Sequence, residues 1–423
     1  MVTSESVIRR MTRLAVEHDA VNLSQGFTDE PPPFDLVWGG VRALLGGDGP
    51  QVERLGSLTL GDVIGDSDPD TWLDRPVSEL LAGVQGRPDR LNQYSFPFGL
   101  GELREAIADY TKRWRPDPES EVTVTLGATE ALASVLAGVC SRGDRVLVPQ
   151  PFHEMYPAQA GFFGLEPVYV TLTEDLSAEC WTFDRDQWAA AAVGARALIL
   201  NSLHNPTGKV FSADDLSWIA ELALRHDLVV ITDEIYEQIL FEERRHLSLP
   251  AWDGMRQLTV VINSISKTGN ATGWRVGWVI ARPDWTQSIR GFHDTMVIQA
   301  PTPLQWAAAT LLRSDASAFD RLRASYTRKR TTLMQGLTAA GFGVSPPEGA
   351  YYLFARYRDV PPLADLSSMA AALHLIREVG VAPVPGDNFY ATGDDGDRYL
   401  WFTFCRSVGA LEEASRRLAS LAS

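Results

Sequence analysis

The stretch LTVVINSISKTGNATGWRVGW, residues 258–278, decides how the rest of the chain is read. It opens on a continuous apolar run, as a strand buried on both faces of a mostly parallel sheet requires. It then passes through the small residues Ser264 and Ser266 to Lys267, with Arg275 eight positions further on. A lone lysine is ordinarily a solvated charge. One that follows a buried strand, with a guanidinium close by in sequence, suits an amine held beside a phosphate and free to form a Schiff base.

Working outward, further apolar runs precede or follow helical patterns: VTVTL (122–126), RVLVPQP (145–151), PVYVTL (167–172), ALILNS (197–202) and LVVITDE (228–234). Ser212 with Asp215 three positions on marks a helix start of the capping-box kind. Alternation of this sort predicts an α/β fold, a mostly parallel sheet in a large domain over 91–300. One long helix is expected over 301–340, closed by Gly341. A smaller α+β domain follows over 341–423, with YYLFARY, a helix over 367–378 and YLWFTF (399–404). Residues 1–35 read as an N-terminal arm of that small domain: a short amphipathic helix, VNLSQGF, and a segment where Pro31, Pro32 and Pro33 forbid helix. Residues 36–90 form an extended acidic insertion rich in Gly and Pro. It reads either as a solvated loop or as a segment near the active-site mouth whose Asp62, Asp66, Asp68 and Asp70 face a cationic ligand.

Composition narrows the function. In 423 residues, 38 Lys and Arg stand against 54 Asp and Glu, a net charge of −16. Nucleic-acid phosphates would be repelled over most of such a surface. No apolar run reaches the roughly 18–20 residues that span a bilayer, so no membrane partner is expected. The first twenty residues lack the apolar core of a secretory signal. Cys140, Cys180 and Cys405 offer neither a disulfide framework nor metal-ligand spacing, which fits a cytoplasmic protein without a metal site.

Three other segments lie at strand ends. In TDEIYE (232–237), Asp233 ends a buried strand and Tyr236 follows. A carboxylate there needs a cationic partner, and a protonated pyridine nitrogen would serve. In NSLHNPTGK (201–209), Asn205 reads as a turn residue or as a ligand to a ring. In LGATEAL (126–132), Gly127 either lets a strand meet a helix or opens a phosphate site at the helix start.

These segments resemble, in order and spacing, the fold-type-I pyridoxal-phosphate enzymes of the class I/II aminotransferase family, its kynurenine/methionine branch in particular. The resemblance runs over nearly the whole chain: VNLSQGF, NQYSFPFGLGELREAIA, VTVTLGATEAL, LHNPTGKVF, TDEIYE, SISKTGNATGWRVGW, HDTMVIQAPTPLQ, PPEGAYYLF and VPGDNFY. It implies pyridoxal 5'-phosphate as cofactor and an α-amino acid or amino-acid conjugate as substrate. Lys267 would form the Schiff base and move protons, and Asp233 would pair with the ring nitrogen. Asn205 and Tyr236 would bond the ring's phenolic oxygen. Ser264, Arg275 and the backbone at Gly127, Ala128 and Thr129 would hold the phosphate. Tyr94 would reach the phosphate of a neighbouring subunit, so the resemblance implies a homodimer with shared sites. Gly26 would lie beside the substrate carboxylate.

Two positions depart from the family. Where its Arg grips the substrate carboxylate, this chain has Trp401; Arg398 and Arg406 stand at odd offsets, which in a regular strand face the other way. Losing a bidentate charged pair gives up about 1.5–3 kcal/mol in binding an ordinary amino acid. Trp401 offers flat apolar surface instead. Where the family stacks an aromatic ring on the pyridine, this chain has His153, either as another flat ring or as a titratable nitrogen near the reacting carbon. Two outcomes stay open: amino-group transfer to a 2-oxo acid, the family's default, or decarboxylation, oxidative deamination, elimination or replacement on a specialised amino acid.

Overall fold

The structure is a computed structural model that describes residues 5–46, 91, 93–111, 114–314 and 317–422, and singly Ser57, Thr59, Asp62 and Pro76. Most of the 36–90 insertion, with Asp66, Asp68 and Asp70, lies outside the described residues. Asp62 is exposed, and its carboxylate accepts the Thr59 N–H at 2.8 Å.

In chain order the strands are β1 (Val21–Asn22), β2 (Val122–Thr125), β3 (Arg145–Gln150), β4 (Glu166–Asp175), β5 (Cys180–Phe183), β6 (Ala197–Asn201) and β7 (Val229–Asp233). They continue as β8 (Thr259–Ser264), β9 (Gly277–Ile280), β10 (Tyr352–Arg356), β11 (Val381–Ala382), β12 (Val384–Pro385) and β13 (Tyr399–Thr403). The chain divides into two compact units, one of Met1–Pro31, Val135–Asn263 and Ala316–Ser423, the other of Pro32–Ser134 and Ser264–Asp315.

In the first unit the strands run β8-β7-β6-β3-β4-β5. All neighbours are parallel except β4 and β5. β6 and β7 are buried at every residue, in keeping with the apolar runs ALIL and VVI that open them. The chain moves outward from β3 through β4 to β5, then returns to place β6 on the other side of β3. In an open α/β sheet such a reversal leaves a crevice at the carboxyl ends of the strands, where ligands bind. β3, β6 and β7 end there at Gln150, Asn201 and Asp233. The helix Ala213–His226 opens on the expected capping box, with Ser212 and Asp215 exchanging backbone-to-side-chain bonds of 3.0 Å each.

The same unit carries a three-stranded antiparallel sheet, β10-β13-β12. Trp401 lies on its middle strand, opposite Phe354 on one side and Val384 on the other. β1 of the arm pairs with β11, Val21 opposite Val381. The helix Val7–Glu17 buries Met11 and Ala15.

The single helix expected over 301–340 is two helices, Thr302–Leu312 and Ser317–Ala339. The first stops because Ser314 turns both its amide and its hydroxyl onto the Leu311 carbonyl, at 3.1 and 2.7 Å. A serine that bonds its own backbone in this way competes with the helical ladder. The second closes as expected: Gly341 takes a φ of +92° and the Phe342 amide bonds the Leu337 carbonyl at 3.0 Å.

In the second unit, β2 and β9 pair antiparallel, Thr125 opposite Gly277. The helices Phe34–Gly46, Gly101–Tyr110, Pro283–Val297 and Thr302–Leu312 belong to it. The fully buried Gln305 amide accepts the Leu100 N–H at 2.8 Å and donates to the Ala300 carbonyl at 2.7 Å.

Candidate active site

The carboxyl ends of β3, β6 and β7 bring one set of polar groups together. Asp233 is buried at the last position of β7. Tyr156, in the helix Met155–Phe162 after β3, donates its hydroxyl to Asp233 Oδ2 at 2.8 Å. Burial first, and then the neighbouring Asp233 charge, push the Tyr156 phenol far above its ordinary pKa, so it stays a donor. His153 lies 6.0 Å, centroid to centroid, from the Tyr156 ring. Its Nδ1 accepts the Met155 N–H at 3.3 Å.

Asn201 ends β6 and couples two of the expected residues. Its amide nitrogen donates to the Asp233 carbonyl at 3.0 Å, and its oxygen accepts the Asn205 N–H at 2.7 Å. Asn205 is thereby fixed, yet its own side-chain oxygen is buried with no partner among the described residues. A buried amide left so costs about 1–3 kcal/mol. The turn thus keeps an unmet acceptor that a donor group of a ligand would satisfy.

Tyr236 follows Asp233, and its hydroxyl shares a 2.6 Å hydrogen bond with that of Tyr352 on β10. Burial raises both phenols above their ordinary pKa. Tyr352 also explains Gly26: a Cβ at Gly26 would fall 2.5 Å from the Tyr352 hydroxyl oxygen. The Gly26 loop is pinned by the Tyr351 hydroxyl on the Gly26 carbonyl at 2.9 Å and by the Cys405 thiol on the Phe27 carbonyl at 3.0 Å.

Trp401 is 2% exposed and stacks on Tyr352 with centroids 4.6 Å apart and planes at 29°. Phe389 lies 5.7 Å away. The flat surface expected of Trp401 is thus already taken up by protein rings, while its Nε1 is buried without a partner among the described residues. Neither nearby arginine replaces a carboxylate clamp. Arg406 bonds Asp29 at 2.8 Å and the Asn22 carbonyl at 2.9 Å, and Arg398 lies over the Tyr399 ring.

The second unit gathers the remaining residues. Gly127 opens the helix Gly127–Val139 with a φ of +77°, and a Cβ there would fall 2.3 Å from Arg275 Nη2. Gly277 is equally constrained, since its Cβ would meet the Ala128 amide at 2.9 Å. Bare backbone at a helix start, next to a guanidinium, is a cradle for an anion: the first amides have no carbonyl one turn back, and the dipole favours negative charge. Arg275 Nη1 is steadied on the Thr272 carbonyl at 3.0 Å, and burial lowers the guanidinium's pKa, a cost that an anion would offset. Lys267 lies in the one-turn helix Ile265–Thr268, capped by Ser264, whose hydroxyl accepts the Ser266 N–H. Tyr94 is 77% exposed.

The family profile described as aminotransferase class I and II matches residues 70–418. This chain belongs to the class I and II aminotransferases. It is 36% identical over 381 residues to the probable N-succinyldiaminopimelate aminotransferase of Mycobacterium tuberculosis, covering 87% of this chain and 93% of that protein. It is 30% identical to the methionine aminotransferase of Escherichia coli, over 98% of this chain and 96% of the other. Among solved structures, the N-succinyldiaminopimelate aminotransferase of Mycobacterium tuberculosis superposes with a TM-score of 0.84 at 34% identity, covering 99% and 97% of the two chains.

The aminotransferase therefore has the fold-type-I architecture, uses pyridoxal 5'-phosphate and transfers an amino group. The decarboxylating and eliminating alternatives gain no support from these relatives. The residues fit the cofactor, with an anion cradle at Gly127 and Arg275 and an orphaned buried amide at Asn205. When bound, the cofactor supplies an aldehyde for an amine to condense with and a ring that draws electrons from the substrate's Cα.

Sequence reasoning missed two aminotransferase residues, Tyr156 and Tyr352. Tyr156 carried a usable signal, three positions after His153 at helical spacing. Tyr352 sits in an apolar strand, where a tyrosine is indistinguishable from core.

Proposed function

We propose that Lys267, Asp233 and Tyr236 are the catalytic residues of an aminotransferase acting on an α-amino acid or amino-acid conjugate, with a 2-oxo acid as acceptor. The Lys267 amine holds the cofactor's carbonyl carbon and carries a proton to and from the substrate's Cα. The Asp233 carboxylate, steadied by Tyr156, accepts the N–H of a protonated ring nitrogen and keeps it charged. Asn205 and Tyr236 bond the phenolic oxygen, and the His153 ring covers the pyridine. Arg275, the Ser264 hydroxyl and the backbone at Gly127, Ala128 and Thr129 hold the phosphate. Gly26 and Trp401 face the substrate. The observation that carries this reading is a buried carboxylate fixed by a phenol, tied through Asn201 to an amide with an unmet hydrogen bond.

The assembly is a homodimer in which Tyr94 reaches the phosphate of the partner's site. Tyr94 and Phe96, neighbours in sequence and 77% and 60% exposed, are available for such a contact. The enzyme is cytoplasmic; Cys405 acts as a thiol donor, which needs it reduced.

Borohydride reduction of the holoenzyme followed by peptide mass mapping tests the assignment. The cofactor mass is expected on Lys267, and Lys267→Ala is expected to lose both the adduct and the visible absorbance. An adduct on another lysine refutes it.

A further inference from the structure

His293 lies in the helix Pro283–Val297 with its side chain wholly buried, and both of its ring nitrogens meet acceptors. Nε2 lies 3.1 Å from the Pro97 carbonyl oxygen, and Nδ1 lies 3.1 Å from Glu130 Oε1. A carbonyl can only accept, so Nε2 carries a hydrogen. The Glu130 carboxylate already takes two other donors, the Leu126 N–H on Oε2 at 2.9 Å and the Ser134 hydroxyl on Oε1. Nδ1 is its third donor, and a histidine that donates from both nitrogens is an imidazolium. Burial works against that charge, but the Glu130 bond and charge, the Pro97 carbonyl and the Asp294 charge outweigh it and raise the ring's pKa above 6.5.

Glu130 belongs to the first turn of the helix Gly127–Val139. Its bond to the Leu126 N–H sets the carboxylate against the peptide that enters Gly127, where the anion cradle begins. An unmatched negative charge there would repel a phosphate and cancel the attraction of the helix start.

We propose that His293 is a positioning residue for the cofactor's phosphate: paired with Glu130, it removes that acid's charge from the cradle at Gly127 and Arg275. The inference rests on the phosphate-site reading above and adds to it a residue that acts through Glu130. The imidazolium and the carboxylate form a neutral pair, so the helix start and the Arg275 guanidinium meet the anion unopposed.

The test titrates cofactor-free enzyme at pH 7 with pyridoxal 5'-phosphate and with pyridoxal, which has the same ring and aldehyde and lacks the phosphate. His293→Gln is expected to weaken the phosphorylated ligand about tenfold and to leave pyridoxal unchanged. Adding Glu130→Gln, which deletes the acid, is expected to restore the loss; a loss of packing would not be restored by a second substitution. Nitrogen NMR of histidine-labelled enzyme reads the charge without altering the buried ring. It is expected to show at pH 7 an imidazolium, both ring nitrogens protonated, that Glu130→Gln abolishes. A loss shared equally by both ligands, no loss at all, no recovery in the double variant, or no imidazolium that responds to Glu130→Gln overturns the inference alone. A phosphate-dependent affinity that Arg275→Ala leaves unchanged overturns the phosphate-site reading and this inference with it.

Discussion

At the scale of single residues, the site depends on groups that position other groups. On the proposed reading Asp233 serves a ring nitrogen, and the Tyr156 hydroxyl, donating to it at 2.8 Å, holds its carboxylate in place. A hydrogen bond to a charged group is worth about 1.5–3 kcal/mol. Tyr156→Phe is therefore expected to lower kcat/KM about ten- to hundredfold while circular dichroism stays native; steady-state kinetics beside a melting curve checks it. Gly26 is a second case. A methyl group 2.5 Å from the Tyr352 oxygen forces that ring aside and breaks its bond to Tyr236. Gly26→Ala is expected to raise KM for the amino donor about tenfold and to leave visible cofactor absorbance in place, measured by kinetics and by cofactor titration. His204 acts on stability. Burial, then the Lys209 charge, lowers its pKa from 6.5 to about 3. The folded value lies below the unfolded one, so between these limits only the unfolded chain takes up the proton. Stability is whole above about pH 6.5 and falls as the pH drops, by up to about 1.4 kcal/mol per unit. Urea unfolding midpoints at pH 7 and pH 5 are expected to differ less in His204→Asn than in the wild type.

At the scale of elements, legibility followed burial. β6, β7 and β8 were readable because strands covered on both faces are rich in apolar residues, and each of these carries a run of three or more. Chemistry-bearing residues were readable where polar groups stand at or just beyond the carboxyl end of such a run, Asp233 at the end of β7, Asn205 four residues past β6 and Lys267 three past β8. Tyr156 and Tyr352 were not, since an apolar ring with one hydroxyl fits a core as well as a site. The break after Leu312 was hidden for another reason. Ser314 is a tolerable helix residue, and only its chosen hydrogen bonds to Leu311 show that it ends one. The unmet bond of Trp401 Nε1 also escaped sequence reading, because it depends on what the neighbouring strands β10 and β12 place around it.

At the scale of the molecule, 54 acids against 38 bases give a net charge of −16, which keeps copies apart unless an apolar surface joins them. On the proposed dimer, Phe34 and Phe96, 75% and 60% exposed in the second unit, would lie on the surface that joins the copies. Sedimentation velocity is expected to show a dimer. Phe96→Asp is expected to shift it toward monomer and, if Tyr94 reaches the partner's phosphate as proposed, to weaken cofactor retention. The small sheet has a longer-term consequence. Position 401 is bonded on both sides, to Phe354 and Val384, so its backbone has no room to adjust to a new side chain. Drift at this one codon would therefore act through the side chain alone, with the strand pairing around it kept.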